Sequence, residues 1–125
     1  MMHPPTLRVL IAEDEALVAL ALEDELSSAG YEVDMAATGE EVVQFALSRR
    51  PSLVIMDVNL AGKTSGIDAA YTIRAHSDVP IVFVSGYHDS RIKRRAAKVR
   101  PAAFCVKPIS IAELRGIVES IVPAT

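Results

Sequence analysis

Five side chains stand where chemistry could be assembled. Each ends or follows a short apolar run: Leu7 to Ala12 leads into Glu13 and Asp14, Leu53 to Met56 ends on Asp57, Ile81 to Val84 ends on Ser85, and Ala102 to Val106 ends on Lys107. Carboxylates gathered in one place can hold Mg2+ (or Mn2+), a hard cation that takes about six oxygen ligands and keeps several waters. A metal ion also relieves the repulsion among clustered acids. A lysine beside them can pair with a carboxylate or with a phosphoryl oxygen, and a serine hydroxyl can donate to the same oxygen. A carboxylate in such company can act as a nucleophile toward phosphorus. Asp57 is the best placed, on the middle run with partners before and after it in the chain. Each feature alone has a plainer explanation. Acids after a first strand often only start a helix, and Lys-Pro is a common loop dipeptide. Their joint occurrence at the ends of four runs is what points to a site.

The elements that would position these residues alternate along the chain. The runs at 7–12, 53–57, 81–84 and 102–106 read as strands, and those without polar interruption read as buried on both faces. Tyr31 to Ala36 alternates apolar and acidic residues, the pattern of an edge or half-exposed strand. Helical stretches separate the strands. Leu17, Leu20, Leu22 and Leu26 form an apolar stripe that stops at Gly30, a C′ position. Thr38 with Glu41, and Ser110 with Glu113, have capping-box spacing. Val42, Val43, Ala46 and Leu47 face inward on the second helix, and Pro51 breaks it. Asn59 to Gly66 reads as a turn. Ile67, Ala70, Tyr71 and Ile73 mark a third helix, and Ile92, Ala96 and Val99 the inner side of a fourth. Leu114, Ile117, Val118 and Ile121 mark the inner side of a fifth. The order is five strand–helix units. It predicts an α/β fold, a five-stranded parallel sheet with helices on both faces. Right-handed crossovers would then bring every strand's carboxyl end, and all five side chains, to one edge of the sheet.

With 125 residues the chain is expected to form a single domain, 1–125, with its core at about 7–122. Half the residues are hydrophobic, too many for a disordered chain. The start, Met1 to Pro5, lacks the features of a secretory signal, and no apolar run approaches the roughly 20 residues of a membrane helix. The lone Cys105 rules out an internal disulfide and reads as a core residue, a reactive thiol being the alternative. The expected compartment is the cytoplasm, without membrane attachment. Net charge is −3, but residues 1–62 carry eleven acidic and three basic groups, and residues 63–125 carry ten basic and five acidic. Much of the second half's charge is a stripe on the fourth helix, Arg91, Arg94, Arg95 and Lys98, offered as a partner face. The overall sign argues against nucleic acid as the partner.

On these residues the sequence resembles the receiver domain of two-component response regulators over about residues 7 to 122. The acidic pair of that family matches Glu13 and Asp14, its phospho-acceptor matches Asp57, its serine or threonine matches Ser85, and its lysine matches Lys107. The resemblance implies a CheY-like, flavodoxin-like doubly wound (βα)5 fold with a cis bond before Pro108. It implies a phosphorelay switch, not a metabolic enzyme, that accepts a phosphoryl group on Asp57 from a sensor histidine kinase or a histidine phosphotransfer protein. Mg2+ (or Mn2+) would be held by Asp14, Asp57 and the carbonyl of Asn59, with Glu13 as a secondary ligand. Ser85 and Lys107 would bind phosphoryl oxygens, and Ser85 and Phe104 would form the switch. Water later resets the acyl phosphate, with Tyr87 and Asn59 flanking its approach. Output would pass through the fourth helix, fifth strand and fifth helix to a downstream protein or a second receiver. The chain departs from the common pattern at Ala61, in a loop one residue longer at 60–66, in Lys98 to Ala103, and in Phe104, which lacks a tyrosine hydroxyl. A constitutive interaction module and a Mg2+-dependent phosphatase are the competing readings.

Overall fold

The computed structural model describes residues 6–86 and 89–124. Strands β1 (Arg8–Ala12), β2 (Glu32–Ala36), β3 (Leu53–Asp57), β4 (Ile81–Ser85) and β5 (Ala103–Val106) alternate with five helices. The helices are α1 (Ala16–Ser28), α2 (Gly39–Arg49), α3 (Gly66–Arg74), α4 (Ser90–Ala97) and α5 (Ile111–Ile121). All strand pairs are parallel, in the order β2-β1-β3-β4-β5. Every residue of β3 and β4 is buried, as their unbroken apolar runs require, whereas β2 lies at an edge with a mixed pattern. The sheet is covered on both faces. Leu10, Val54, Met56, Ile81 and Phe83 pack on one side with Val42 and Ala46 of α2, Ile67 and Ile73 of α3, and Ala96 of α4. Val9, Ile11, Ile55, Val82 and Val84 pack on the other with Leu22 and Leu26 of α1 and Leu114 and Val118 of α5. Alternate strand residues thus feed alternate layers. Cys105 is a buried member of the second layer.

The helix starts follow their sequence signals. Thr38 Oγ1 accepts from the Glu41 amide at 3.1 Å, and Ser110 Oγ accepts from the Glu113 amide at 3.0 Å. The Glu41 carboxylate reaches back to the amide of Ala37, one residue before the cap. Ser65 caps α3 in the same way through the amide of Asp68. Gly30 ends α1 with φ +102, the left-handed geometry that glycine adopts without steric penalty.

The inner faces of four helices differ from the expectation. On α1, Ala19, Leu22 and Leu26 are buried, while Leu17 is 83 % and Leu20 50 % exposed. Residues 16–22 are all apolar, so the sequence there marks no preferred face, and the fit of Leu22 and Leu26 against the sheet sets the rotation. Leu47 of α2 and Tyr71 of α3 are also exposed, and Ile117 and Ile121 of α5 are only partly covered. Among the described residues no helix is long and apolar enough to cross a membrane.

Candidate functional site

Strand register brings the chemistry-bearing residues to one edge. Ala12 pairs with Met56, Asp57 with Val84, and Ser85 with Val106. Glu13 and Lys107 each stand one residue beyond a paired strand end. Their amides continue the ladder, Glu13 to the Ala36 carbonyl at 3.0 Å and Lys107 to the Ser85 carbonyl at 2.8 Å. The Lys107–Pro108 peptide is cis.

Asp57 is buried at the carboxyl end of β3, and both of its carboxylate oxygens have partners. Oδ2 accepts from Lys107 Nζ at 2.8 Å, and Oδ1 accepts from the Asn59 amide at 2.8 Å. Lys107 Nζ is also 3.9 Å from Glu13 Oε1. One ammonium therefore serves two carboxylates whose side chains are only 6 % and 8 % exposed. Burial, opposed by the Glu15 amide and reinforced by the Asp57 carboxylate, pushes the Glu13 carboxyl up to about 7. Burial alone would depress the lysine, but the hydrogen bond to Asp57 and the surrounding acids outweigh it and lift Lys107 above its ordinary value. Ser85, fully buried, ends the neighbouring strand.

Glu13, Asp14 and Asp57 can each turn one carboxylate oxygen to within 4.8 Å of the others. These are hard oxygen donors, Asp14 is exposed, and the Glu13 carboxyl, raised first by burial, is raised further by the neighbouring Asp57 charge. The donor set and its electrostatics fit a divalent cation such as Mg2+. Beside the acids, a cleft of about 490 Å3 runs between α1 and the start of α5, bounded by Val18, Leu22, Ile109 and Ile111.

Phe104 is half-buried, its ring 6.1 Å from that of Phe83, with Lys93 Nζ 5.9 Å from its centroid. Arg91, Arg94 and Arg95 of α4, and Lys98 that caps its end, are all exposed. Arg95 is not solvated on all sides, because it pairs with Asp68 of α3 at 2.8 Å and lies over Tyr71. The acidic offset missing from the α4 sequence comes from another helix. Tyr87 lies outside the described residues. Sequence reasoning missed the contacts that hold the β3–α3 loop, although the glycines at 39, 62 and 66 signalled close backbone approach.

Residues 9–119 match the family described as response regulator receiver domain. The transcriptional regulatory protein PdtaR of Mycobacterium tuberculosis is 42 % identical over 113 residues, which cover 90 % of this chain and 55 % of that protein. The chain thus spans about half the length of the relatives it matches. The receiver domain of a sensor histidine kinase from Pseudomonas aeruginosa, described with a magnesium ion coordinated in its active site cleft, superposes with a TM-score of 0.83. It is 25 % identical, and the match covers 96 % of this chain and all of that one. The signal receiver domain of a modulated diguanylate cyclase from Desulfovibrio desulfuricans superposes with a TM-score of 0.84 at 32 % identity, covering 94 % of both chains.

Proposed function

The chain belongs to the family of response regulator receiver domains, and we propose that it works as a phosphorelay switch run from Asp57. The observation that carries this reading is the Asp57 carboxylate, buried at a strand end, 2.8 Å from Lys107 and within reach of two further acids. In the proposed reaction a carboxylate oxygen of Asp57 bonds to the phosphorus of a phosphohistidine on a histidine kinase or phosphotransfer protein. The phosphorus–nitrogen bond breaks, and its electron pair returns to the imidazole. Lys107 exchanges its carboxylate partner for a phosphoryl oxygen, keeping its charge compensated throughout. Ser85 donates to another phosphoryl oxygen, and Phe104 repacks behind it against Phe83. Asp14, Asp57 and the Asn59 carbonyl would hold Mg2+ (or Mn2+), with Glu13 at longer range, and the ion would supply charge neutralisation at the transferring group. Water later attacks the acyl phosphate and resets the switch.

The chain's own chemistry is limited, on this reading, to its phosphorylation and dephosphorylation in the cytoplasm. Residues 7–122 form the receiver unit, and the face of α4, β5 and α5 presents the output. A shift between two surface states is all the phosphoryl group needs to produce. The decisive experiment compares wild type with Asp57→Asn, which keeps the shape and removes the charge. After incubation with acetyl phosphate and Mg2+, intact mass should rise by one phosphoryl group in wild type alone. Equal labelling of both would overturn the acceptor assignment.

A further inference from the structure

The β3–α3 loop is closed on Asp57 at both ends and fastened to α2 in between. At its start the Asn59 amide donates to Asp57 Oδ1. At its end the Gly66 amide returns to the Val58 carbonyl at 2.9 Å, and a Cβ on Gly66 would lie 2.0 Å from the Asp57 carbonyl oxygen. Only glycine permits that approach, since the obstacle is backbone. Midway, Ala61 forms a parallel bridge with Thr38, the residue that caps α2. A Cβ on Gly39, the first residue of α2, would come within 2.5 Å of the Thr64 carbonyl oxygen. The Thr64 hydroxyl donates to Glu40 Oε1 at 2.8 Å, and Oε2 of the same carboxylate lies 3.1 Å from the Cβ position of Gly62. The amide of Glu40 and then the Thr64 hydroxyl hold the Glu40 carboxyl below its usual range. Glu40 sits in the first turn of a helix, where the dipole favours a negative charge whatever the loop does. The helix is thus a fixed anchor, and the longer loop is the part being held.

We propose that Glu40 and Thr64 are positioning residues of the phosphoryl site: their clasp preorganises the β3–α3 loop, and through it Asn59, for the cation held beside Asp57. The proposal rests on the reading of Asn59 as a ligand given above. Neither residue touches the reacting atoms. With the clasp undone the carboxylates stay in place, but the loop must be ordered each time the cation binds, which weakens affinity without altering the bound state.

The test is a calorimetric titration of the full chain with Mg2+, paired with acetyl phosphate labelling at a series of Mg2+ concentrations. Thr64→Val removes the donor at nearly constant shape, Thr64→Ser restores it, and Glu40→Ala breaks the clasp from the helix side. Thr64→Val should raise the Mg2+ Kd about 3- to 10-fold, the net worth of one ordinary hydrogen bond, since solvent at this exposed site weakens the extra contribution of the charge. Half-maximal labelling should need correspondingly more Mg2+, with the saturating rate unchanged. Thr64→Ser should bind like wild type, and the double variant Thr64→Val/Glu40→Ala should be no weaker than the worse single variant. A merely structural role would lower the Tm of Thr64→Val and leave the Kd alone. A wild-type Kd for Thr64→Val, or additive losses in the double variant, overturns the clasp proposal while the metal reading stands. A wild-type protein that binds no Mg2+ overturns the metal reading and the clasp together.

Discussion

Asp57 and Glu13 compete for one lysine, and the competition is uneven. Lys107 is in hydrogen-bond contact with Asp57 and 3.9 Å from Glu13, too far to offset the burial and the Asp57 charge that push the Glu13 carboxyl up to about 7. A pH dependence follows. In the unfolded chain Glu13 titrates near its ordinary value of 4.5, so between there and about 7 the folded state holds a proton that the unfolded state has lost. Its contribution to stability is full below 4.5 and is lost as pH rises through the folded value of about 7. In buffer with a chelator, wild type should therefore lose stability relative to Glu13→Gln, which stays neutral, across that window. Urea unfolding at several pH values reads the difference; a flat difference would contradict the picture. The same geometry ranks the candidate metal ligands. Glu13 is committed to Lys107 and to the Glu15 amide, whereas Asp14 is exposed and can turn to an ion. Asp14→Ala should weaken Mg2+ binding far more than Glu13→Gln, and a calorimetric titration giving the reverse order would exchange their roles.

At the scale of elements, α1 separates what the sequence specifies from what the fold decides. Leu22→Ala or Leu26→Ala removes a side chain packed under the sheet and should cost about 2–5 kcal/mol. Leu17→Ala removes one that is 83 % exposed and should change stability by less than about 0.5 kcal/mol. Denaturant midpoints of the two sets check this, and a large loss at Leu17 would mean that the helix is rotated. The strands were legible nearly to the residue because burial on both faces writes itself as an unbroken apolar run, as in Leu53 to Met56, and Pro51 and Pro80 mark the approaches. Caps at Thr38 and Ser110 were legible because their partners lie three residues away. The acids, serine and lysine of the site were legible because strand ends of a parallel sheet share one edge. The face of α1 was not, since seven apolar residues in a row offer no contrast. Nor was the Thr64–Glu40 contact, which joins residues 24 apart through the packing of two helices. The counter-charge of Arg95 was hidden for the same reason, since Asp68 lies on α3.

Over the whole molecule, charge is divided between ends of the chain and between surfaces of the fold. Acids dominate residues 1–62, and three of them meet at one strand edge. Bases dominate residues 63–125, and Arg91 and Arg94 of α4 and Lys98 at its end are exposed, with no ion pair among the described residues. Three cations on one helix repel one another, which a helix built only to cover a sheet has no reason to keep. Their helix is joined to α3 by polar contacts. Arg95 pairs with Asp68, the Tyr71 hydroxyl donates to the Arg95 carbonyl at 3.0 Å, and Arg74 Nε donates to the Val99 carbonyl at 2.7 Å. A basic face next to Phe104, over whose ring Lys93 lies, suits an acidic protein surface whose docking depends on the state of the switch. Attraction of this kind acts mainly on the association rate and fades as salt shortens the Debye length to about 8 Å at physiological strength. Nucleic acid is the poorer partner for a chain of net charge −3. Arg94→Glu/Lys98→Glu reverses the exposed part of the face and leaves the Arg95–Asp68 pair in place. At low salt the phosphorylated double variant should lose most of the partner binding or self-association that wild type shows in pull-down and ultracentrifugation. Wild type should approach the same weak binding as salt is raised. If the double variant binds and assembles like wild type at low salt, the stripe is a solvated helix face and the output of the switch leaves by another surface.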